Sequence, residues 1–309
     1  AAAAIKGGAA AAAVPPLAAS DLSFLQNNGD LYDLIDALDP SQRPSWSPYP
    51  GDAAAEGVPD TAAGAARLFH EIALAGKCSG AVALAPGGGD LLVGHSTWDG
   101  YSANLRVYKH YDFAFSAAEN GAPAGGGEPS NGAAAGGGSS GDADFATGGL
   151  SFSSYPGEIS SDDDFYITGA GLIVVGTTNK IFDDSLFDLL DHRSAPSWVR
   201  ARAASWLAAD GEAWTAAVAA HNSGTYNNAY FVVDAKRFAP GDSPLQRGLL
   251  WVAEQIPGRV VARDVTDTLA EQSYWAAFNV PALPEVYAAS GYPDFVSRLE
   301  RFGQRFSRS

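Results

Sequence analysis

The chain has 309 residues, with 35 acidic and 19 basic side chains that give a net charge of −16 at pH 7. Such an excess of negative charge argues against nucleic acid or an anionic membrane surface as a partner. With 46% hydrophobic residues the chain can bury a large core, but no apolar run is long enough to predict a membrane span. Its single cysteine excludes an internal disulfide.

The first 77 residues begin with an Ala-, Gly- and Pro-rich stretch at 1–20, which predicts little ordered structure. This stretch lacks the Leu-rich core of a signal peptide, and the chain has no Asn-x-Ser/Thr glycosylation sequon. Residues 21–38 predict two short helices, because Leu31, Leu34 and Ile35 recur at helical spacing. A further helix is predicted at 60–75.

A β-hairpin is predicted around the only cysteine. Short apolar runs at 81–84 and 91–93 flank Pro86 and three consecutive glycines, a pattern typical of two strands joined by a tight turn. Cys78 stands at the head of the first strand, and His95 ends the second, so the hairpin brings thiol and imidazole to the same end. On spacing alone, a lone cysteine is more commonly a small buried hydrophobe than a nucleophile.

Residues 117–149 form a Gly-, Ala- and Ser-rich insertion without periodicity, which predicts a flexible surface loop. Two strands are predicted within 152–178, on either side of Tyr155-Pro156-Gly157. The second, at 165–175, is almost continuously apolar and is expected to be buried between layers.

Three consecutive aspartates, Asp162, Asp163 and Asp164, allow two interpretations. They are potential metal ligands, but neither a histidine nor a further carboxylate follows at ligand spacing. A solvated turn or a helix cap is therefore the favoured interpretation, and we predict neither a metal nor a cofactor.

The rest of the chain alternates helical and strand patterns. Helices are predicted at 194–209, 212–221 and 286–306, and strands at 230–233 and 259–262, while 249–256 fits either a strand or a helix. Pattern alone therefore predicts an α+β fold.

The hairpin also carries a family resemblance. Cys-Ser-x-x-Val from Cys78, followed by Asp-Leu-Leu-Val-x-His-x-Thr-Trp ending at Trp98, resembles the phospholipase B-like family of N-terminal-nucleophile hydrolases. Further motifs of that family follow in the same order, at 153–157, 163–166, 222–228, 254–258 and 274–276. The resemblance covers about residues 65–309.

This resemblance implies a four-layer αββα sandwich, with two antiparallel sheets between helical layers. It also implies that the chain cleaves itself at the Lys77–Cys78 bond, which divides it into an N-terminal fragment, 1–77, and a nucleophile-bearing core, 78–309. The α-amino group freed on Cys78 has a reference pKa of about 8, so it can take the proton of the neighbouring thiol.

The resemblance assigns roles to individual residues. Cys78 is implied as the nucleophile, with His95 beside the thiol. Thr178 matches a threonine at the end of a buried strand, for which Thr177 is the alternative match. Asn279 matches an amide that donates to a developing oxyanion. The predicted substrate-binding residues are Trp98, Asn222 and Asn227.

The implied activity is hydrolysis of acyl ester or amide bonds in lipids, in a lysosomal or secreted protein. The resemblance further implies an active-site arginine near the end of this sequence and a C-terminal portion of the family beyond Ser309. Arg305 and Arg308 are candidates for the arginine by position but match the motif poorly, so either a separate C-terminal fragment completes the site or the site is incomplete. A homo-oligomer is another potential partner. The alternative hypothesis is a catalytically idle family member that serves as a structural subunit of a larger assembly.

Overall fold

The computed structural model of the chain describes residues 16–42, 78–97, 104–113, 148–191 and 193–300. In these ranges the helices are α1 Ala19–Gln26, α2 Asn28–Leu38, α3 Ser197–Leu207, α4 Gly211–Ala219, α5 Thr266–Gln272, α6 Pro284–Ala289 and α7 Tyr292–Glu300. The predicted helix at 60–75 and all but the last two residues of the 117–149 insertion lie outside the described residues.

The strands form two antiparallel sheets. They are β1 Cys78–Leu84, β2 Leu91–Thr97, β3 Val107–Tyr111, β4 Leu150–Ser154, β5 Phe165–Thr168, β6 Leu172–Thr178, β7 Asn228–Asp234, β8 Leu250–Ile256, β9 Arg259–Asp264 and β10 Tyr274–Ala277. The smaller sheet has the order β10-β1-β2, and the larger runs from β3 to β9 in sequence order. The α+β class and the two antiparallel sheets are thereby confirmed.

The smaller sheet packs face to face on the larger one. Between them lies a cluster of buried side chains that includes Val82 of β1, Ala277 of β10, Val175 of β6 and Phe231 of β7. Because all members of this cluster are hydrophobic, the interface between the sheets is an apolar core. Side chains alternate between the two faces of a strand, so the neighbours of these residues point away from the interface.

Helices α3 and α4 cover the opposite face of the larger sheet. Trp214 of α4 and Ala204 of α3 pack in one cluster with Val174 of β6 and with Tyr230 and Val232 of β7. Strands β6 and β7 are thus buried on both faces, which explains their nearly continuous apolar sequences.

The predicted hairpin is confirmed. Strands β1 and β2 pair antiparallel, with Cys78 opposite Thr97 and Gly80 opposite His95. Strand β1 also pairs with β10 on its other side, so Cys78 begins the central strand of the smaller sheet.

The structure corrects two element predictions and decides a third that was left open. The predicted strand at 165–175 is wrong, because β5 and β6 form a hairpin whose turn ends at Gly171, with φ of 80°. The predicted helix at 286–306 is interrupted at Gly291, with φ of 85°, and residues beyond 300 are not described. The ambiguous segment 249–256 contains strand β8.

Helices α1 and α2 are joined to the rest of the molecule by buried polar contacts. The Asp30 carboxylate of α2 accepts a hydrogen bond from the Ser197 backbone N–H, at 3.0 Å, and another from the Thr225 hydroxyl. Helix α3 begins after Pro196, which supplies no capping side chain, so Asp30 caps α3 from a distant part of the chain. Among the described residues, none of the helices has the length and apolar character that a bilayer crossing requires.

Candidate active site

Cys78 is buried at the start of β1, with 1% of its surface exposed. Burial raises the pKa of its thiol far above the ordinary value, and the nearby Asp164 carboxylate raises this pKa further. A hydrogen bond from the Thr97 hydroxyl to the sulfur acts in the opposite direction, but is the smaller effect. Because only the thiolate is strongly nucleophilic, Cys78 needs a base before it can react.

His95 is the nearest candidate base on the hairpin. Its Nε2 lies 2.8 Å from the Gly176 carbonyl oxygen of β6, and its Nδ1 lies 3.4 Å from the Thr97 hydroxyl. Since a carbonyl only accepts, Nε2 must carry the hydrogen, and Nδ1 is left as the acceptor nitrogen of a neutral ring. Burial lowers the pKa of His95, which favours this neutral form.

Thr97 connects the two side chains. It lies directly opposite Cys78 in the hairpin register and two residues after His95, so all three side chains share one face of the sheet. The sequence analysis did not assign a role to Thr97. Its position two residues after His95 on the same strand could have indicated that the two side chains are neighbours.

The Asp163 carboxylate is held beside this group by four bonds. Arg106 donates to both of its oxygens, at 3.1 and 3.2 Å, and Tyr155 donates at 2.8 Å. The Ser153 hydroxyl donates as well, and the Asp163 backbone oxygen lies 3.4 Å from Thr97 Oγ1. The expectation of a solvated turn is therefore wrong, because donors distant in sequence surround a buried carboxylate.

Asp164 is buried on the other side of the turn. Its Oδ2 accepts hydrogen bonds from the Tyr226 hydroxyl at 2.7 Å and the Asn228 amide at 2.8 Å. Burial raises its pKa to about 8, so at neutral pH the group is mainly protonated. Its φ of 51° lies in the left-handed region, which aspartate adopts more readily than most residues other than glycine. Buried acids with raised pKa values are concentrated at functional sites.

Asn279 and Thr178 also meet. The Asn279 amide nitrogen donates to the Thr178 carbonyl at 2.9 Å and lies 3.0 Å from its hydroxyl. The Asn279 carbonyl accepts a hydrogen bond from Tyr292 at 2.6 Å. The structure thus brings Thr178 and Asn279 into direct contact. Strand β6, which carries Thr178, also provides the Gly176 carbonyl that meets His95.

Thr177, the alternative match, lies on the opposite face of strand β6 from Thr178. A side chain at Gly80 of β1 would lie 3.5 Å from its methyl group, so Thr177 faces the smaller sheet. Its hydroxyl is buried and has no hydrogen-bond partner among the described residues.

The predicted substrate-binding asparagines lie in the loop before β7. Asn222 donates to the Ile256 carbonyl at 3.1 Å and accepts from the Gly224 N–H at 2.9 Å. Asn227 donates to Asp33 of α2 and to the Gly224 carbonyl. Both amides therefore hold the loop in shape, whereas Trp98 lies outside the described residues.

The described ranges contain no cluster of three or more histidine, cysteine or acidic side chains arranged to hold a metal ion. The arrangement offers a buried thiol, a neutral imidazole and amide donors, which are the groups that acyl transfer uses.

Several known proteins are similar in sequence to this chain. The sequence profile described as Phospholipase B matches residues 2–309. Phospholipase B-like 1 of Homo sapiens is 34% identical over 284 residues, which are 92% of this chain and 43% of that protein. Phospholipase B of Crotalus adamanteus is 36% identical over 94% of this chain and 45% of its own length. Putative phospholipase B-like 2 of Bos taurus is 39% identical over 75% and 36%, respectively. The chain spans less than half the length of these relatives.

Proposed function

The chain belongs to the phospholipase B family, and from this premise we propose that it hydrolyses acyl ester or amide bonds of lipids. Cys78 is the nucleophile and becomes the amino-terminal residue when the Lys77–Cys78 bond is cleaved by the chain itself. The single observation that carries the proposal is the position of Cys78 at the first residue of a central strand, directly opposite Thr97, whose hydroxyl lies beside His95.

In this proposal the thiolate attacks the acyl carbon and forms a thioester, and water then releases the acid. The freed α-amine of Cys78 takes the thiol proton in the mature protein, because its reference pKa of about 8 suits proton transfer near neutrality. Asn279, supported by Thr178, donates to the oxyanion, and one such donor contributes about 3 kcal/mol of transition-state stabilisation.

The same proposal covers the surroundings of the site. Trp98, Asn222 and Asn227 border the substrate, directly or by shaping the loop. The two sheets belong to a four-layer αββα sandwich of the N-terminal-nucleophile type, with 1–77 as the N-terminal fragment and 78–309 as the core. The protein acts in lysosomes or outside the cell, together with a separate C-terminal fragment or as a homo-oligomer.

A second candidate function is a structural subunit without catalysis. The observation that favours it is the burial of the thiol, whose raised pKa leaves it inert unless a base is present. The two functions differ at Cys78, since the enzyme must expose an α-amine there and the subunit need not.

The deciding experiment is the intact mass and amino-terminal sequence of the purified protein under denaturing conditions, with the same measurements on Cys78→Ala. The proposed enzyme yields a fragment beginning Cys78-Ser79-Gly80 in the wild type and an uncut chain in the variant. Hydrolysis of lipid esters and amides should follow the cut fragment. An intact wild-type chain without hydrolysis would instead support the structural subunit.

A further inference from the structure

The Thr97 hydroxyl lies between the two reactive groups of the hairpin. Thr97 lies directly opposite Cys78 on the neighbouring strand, where its side chain lowers the pKa of the thiol, and its Oγ1 is 3.4 Å from Nδ1 of His95. One hydroxyl therefore lies beside both the group that must lose a proton and a group that can take one.

The direction of transfer follows from the second ring nitrogen. Nε2 of His95 faces the Gly176 carbonyl at 2.8 Å and must donate its hydrogen there. Nδ1 is therefore the basic nitrogen. Its hydrogen-bond partner among the described residues is the Thr97 hydroxyl and not the thiol.

The hydroxyl is also free to rotate between acceptors. Its distances to Nδ1 of His95 and to the Asp163 carbonyl are both 3.4 Å, longer than the usual O–H hydrogen bond of about 2.8 Å. Thr97 has one hydrogen to share among these two acceptors and the sulfur, so none of the three holds it firmly.

We propose that Thr97 relays the thiol proton of Cys78 to Nδ1 of His95. The Sγ–H bond breaks and its proton binds Thr97 Oγ1, while the Oγ1–H bond breaks and its proton binds Nδ1. The products are a thiolate, an imidazolium and a regenerated hydroxyl, and no other reactant is consumed.

The role of the relay rests on the proposed function, in which Cys78 must lose its proton. Before the Lys77–Cys78 bond is cut, the Cys78 nitrogen is an amide and provides no base. The relay supplies a base at that stage, so it serves self-cleavage in particular, whereas the α-amine serves later turnovers.

Charged and titratable groups from several elements surround the relay and set its pH range. The thiol and the imidazole interact with Arg106, Asp162, Asp163, Asp164 and Tyr226. Asp164 is mainly protonated below about pH 8, so there it opposes a thiolate least. We expect the relay to work best below this pH and to weaken above it.

The test is the rate at which iodoacetamide alkylates the only cysteine of the native protein, followed by intact mass. The rate is read from the molecules whose Lys77–Cys78 bond is still uncut, because the α-amine of cut molecules supplies another base. Thr97→Val removes the hydroxyl and keeps the shape, so alkylation near pH 7 should slow by about tenfold or more. The rate should recover only at higher pH. Thr97→Ser, which keeps the hydroxyl, should react within about threefold of the wild type.

His95→Ala and the double variant separate a relay from simple packing. If the two residues act in one chain of proton transfer, the double variant should be no slower than either single variant. Ser96→Ala, on the opposite and exposed face of β2, is the control for loss of a neighbouring hydroxyl. Equal alkylation rates in denaturant check that the chemistry of the thiol itself is unchanged.

Native alkylation of Thr97→Val at the wild-type rate would overturn the relay, as would fully additive effects of the two substitutions. The rate of self-cleavage in the same variants gives the second measurement. A wild-type chain that stays uncut while its alkylation depends on Thr97 and His95 would refute the proposed function and leave the relay standing.

Discussion

Gly176 of β6 holds together the two sides of the candidate site. Its carbonyl accepts the hydrogen of His95, and its N–H donates to the Asp164 carbonyl at 2.9 Å. A Cβ at this position would lie 2.8 Å from Asp164 Cβ and 3.1 Å from the Tyr230 ring. Asp164 can approach β6 only because this residue has no side chain.

Gly176→Ala should therefore destabilise the fold by about 1–3 kcal/mol, since the added methyl group overpacks a closed region. The measurement is the free energy of unfolding from denaturant titration. Gly94→Ala on β2 is the matched control, because nothing lies within 4 Å of the corresponding Cβ. Equal effects of the two substitutions would contradict this account of Gly176.

Asn279→Asp should lower kcat by about 10²–10³-fold on the substrate identified for the enzyme, because it replaces an amide donor by an acceptor. Aspartate tolerates the left-handed φ of 63° at this position about as well as asparagine, so the substitution acts through the lost amide donor and not through the φ angle. Steady-state kinetics with a thermal unfolding control makes the comparison. A kcat within about threefold of the wild type would exclude Asn279 as the oxyanion donor.

At the scale of elements, α2 and α3 depend on each other through Asp30. Its buried carboxylate receives the N–H of Ser197 at the start of α3 and the hydroxyl of Thr225. The two helices are separated by more than 150 residues of sequence, so the cap also ties the N-terminal segment to the larger sheet's helical layer.

Asp30→Ala should cost about 2–4 kcal/mol of unfolding free energy, because it leaves two buried donors without their acceptor. Asp267→Ala, at an exposed acid in the first turn of α5, should change stability by less than about 1 kcal/mol. Denaturant titration of both variants tests the difference. If the losses match, Asp30 is not a cap.

The elements themselves were largely predictable from sequence. Proline and glycine between short apolar runs located the β1–β2 hairpin, and helical spacing located α2. The boundary between β5 and β6 was missed because Gly169 and Gly171 stand within an otherwise continuous apolar run. A turn there is decided by pairing with the neighbouring strands, which sequence periodicity does not contain.

The site was predictable only in part for a similar reason. Cys78 and His95 lie on one hairpin, so local pattern brings them together. The shell around Asp163 and Asp164 comes from Arg106, Tyr155 and Tyr226, which lie on separate segments. A run of acidic residues normally predicts exposure to solvent, and only the tertiary fold supplies the donors that allow it to be buried.

At the scale of the whole molecule, two buried acids and one half-buried acid predict how stability depends on pH. Burial raises the pKa of Asp33 to about 7, and those of Glu158 and Asp164 to about 8. Each folded value lies above the ordinary one, so the folded chain binds more protons than the unfolded chain between about pH 4 and pH 8. The contribution of these three acids to the free energy of unfolding is therefore complete below pH 4 and is lost as the pH rises to 8.

We therefore expect the Tm to be several degrees lower at pH 8 than at pH 5, measured by scanning calorimetry in matched buffers. Burial lowers the pKa of His95, so this residue reduces the stability of the fold as the pH falls below 6.5. It is a single group, whereas three acids change stability in the opposite direction. Asp164→Asn, which does not titrate, should narrow the difference between the two pH values. A Tm that rises from pH 5 to pH 8 would refute the prediction.

The pairing of β1 with β10 also determines when the site forms. Gly80 lies opposite Ala277, so the central strand of the smaller sheet closes only against a segment almost 200 residues later in the chain. Contacts so distant in sequence form slowly, because a long loop must be ordered before they are gained. A self-cleaving bond at the head of β1 would then depend on this late contact, and the new amino terminus would appear only in chains whose strand β10 is in place.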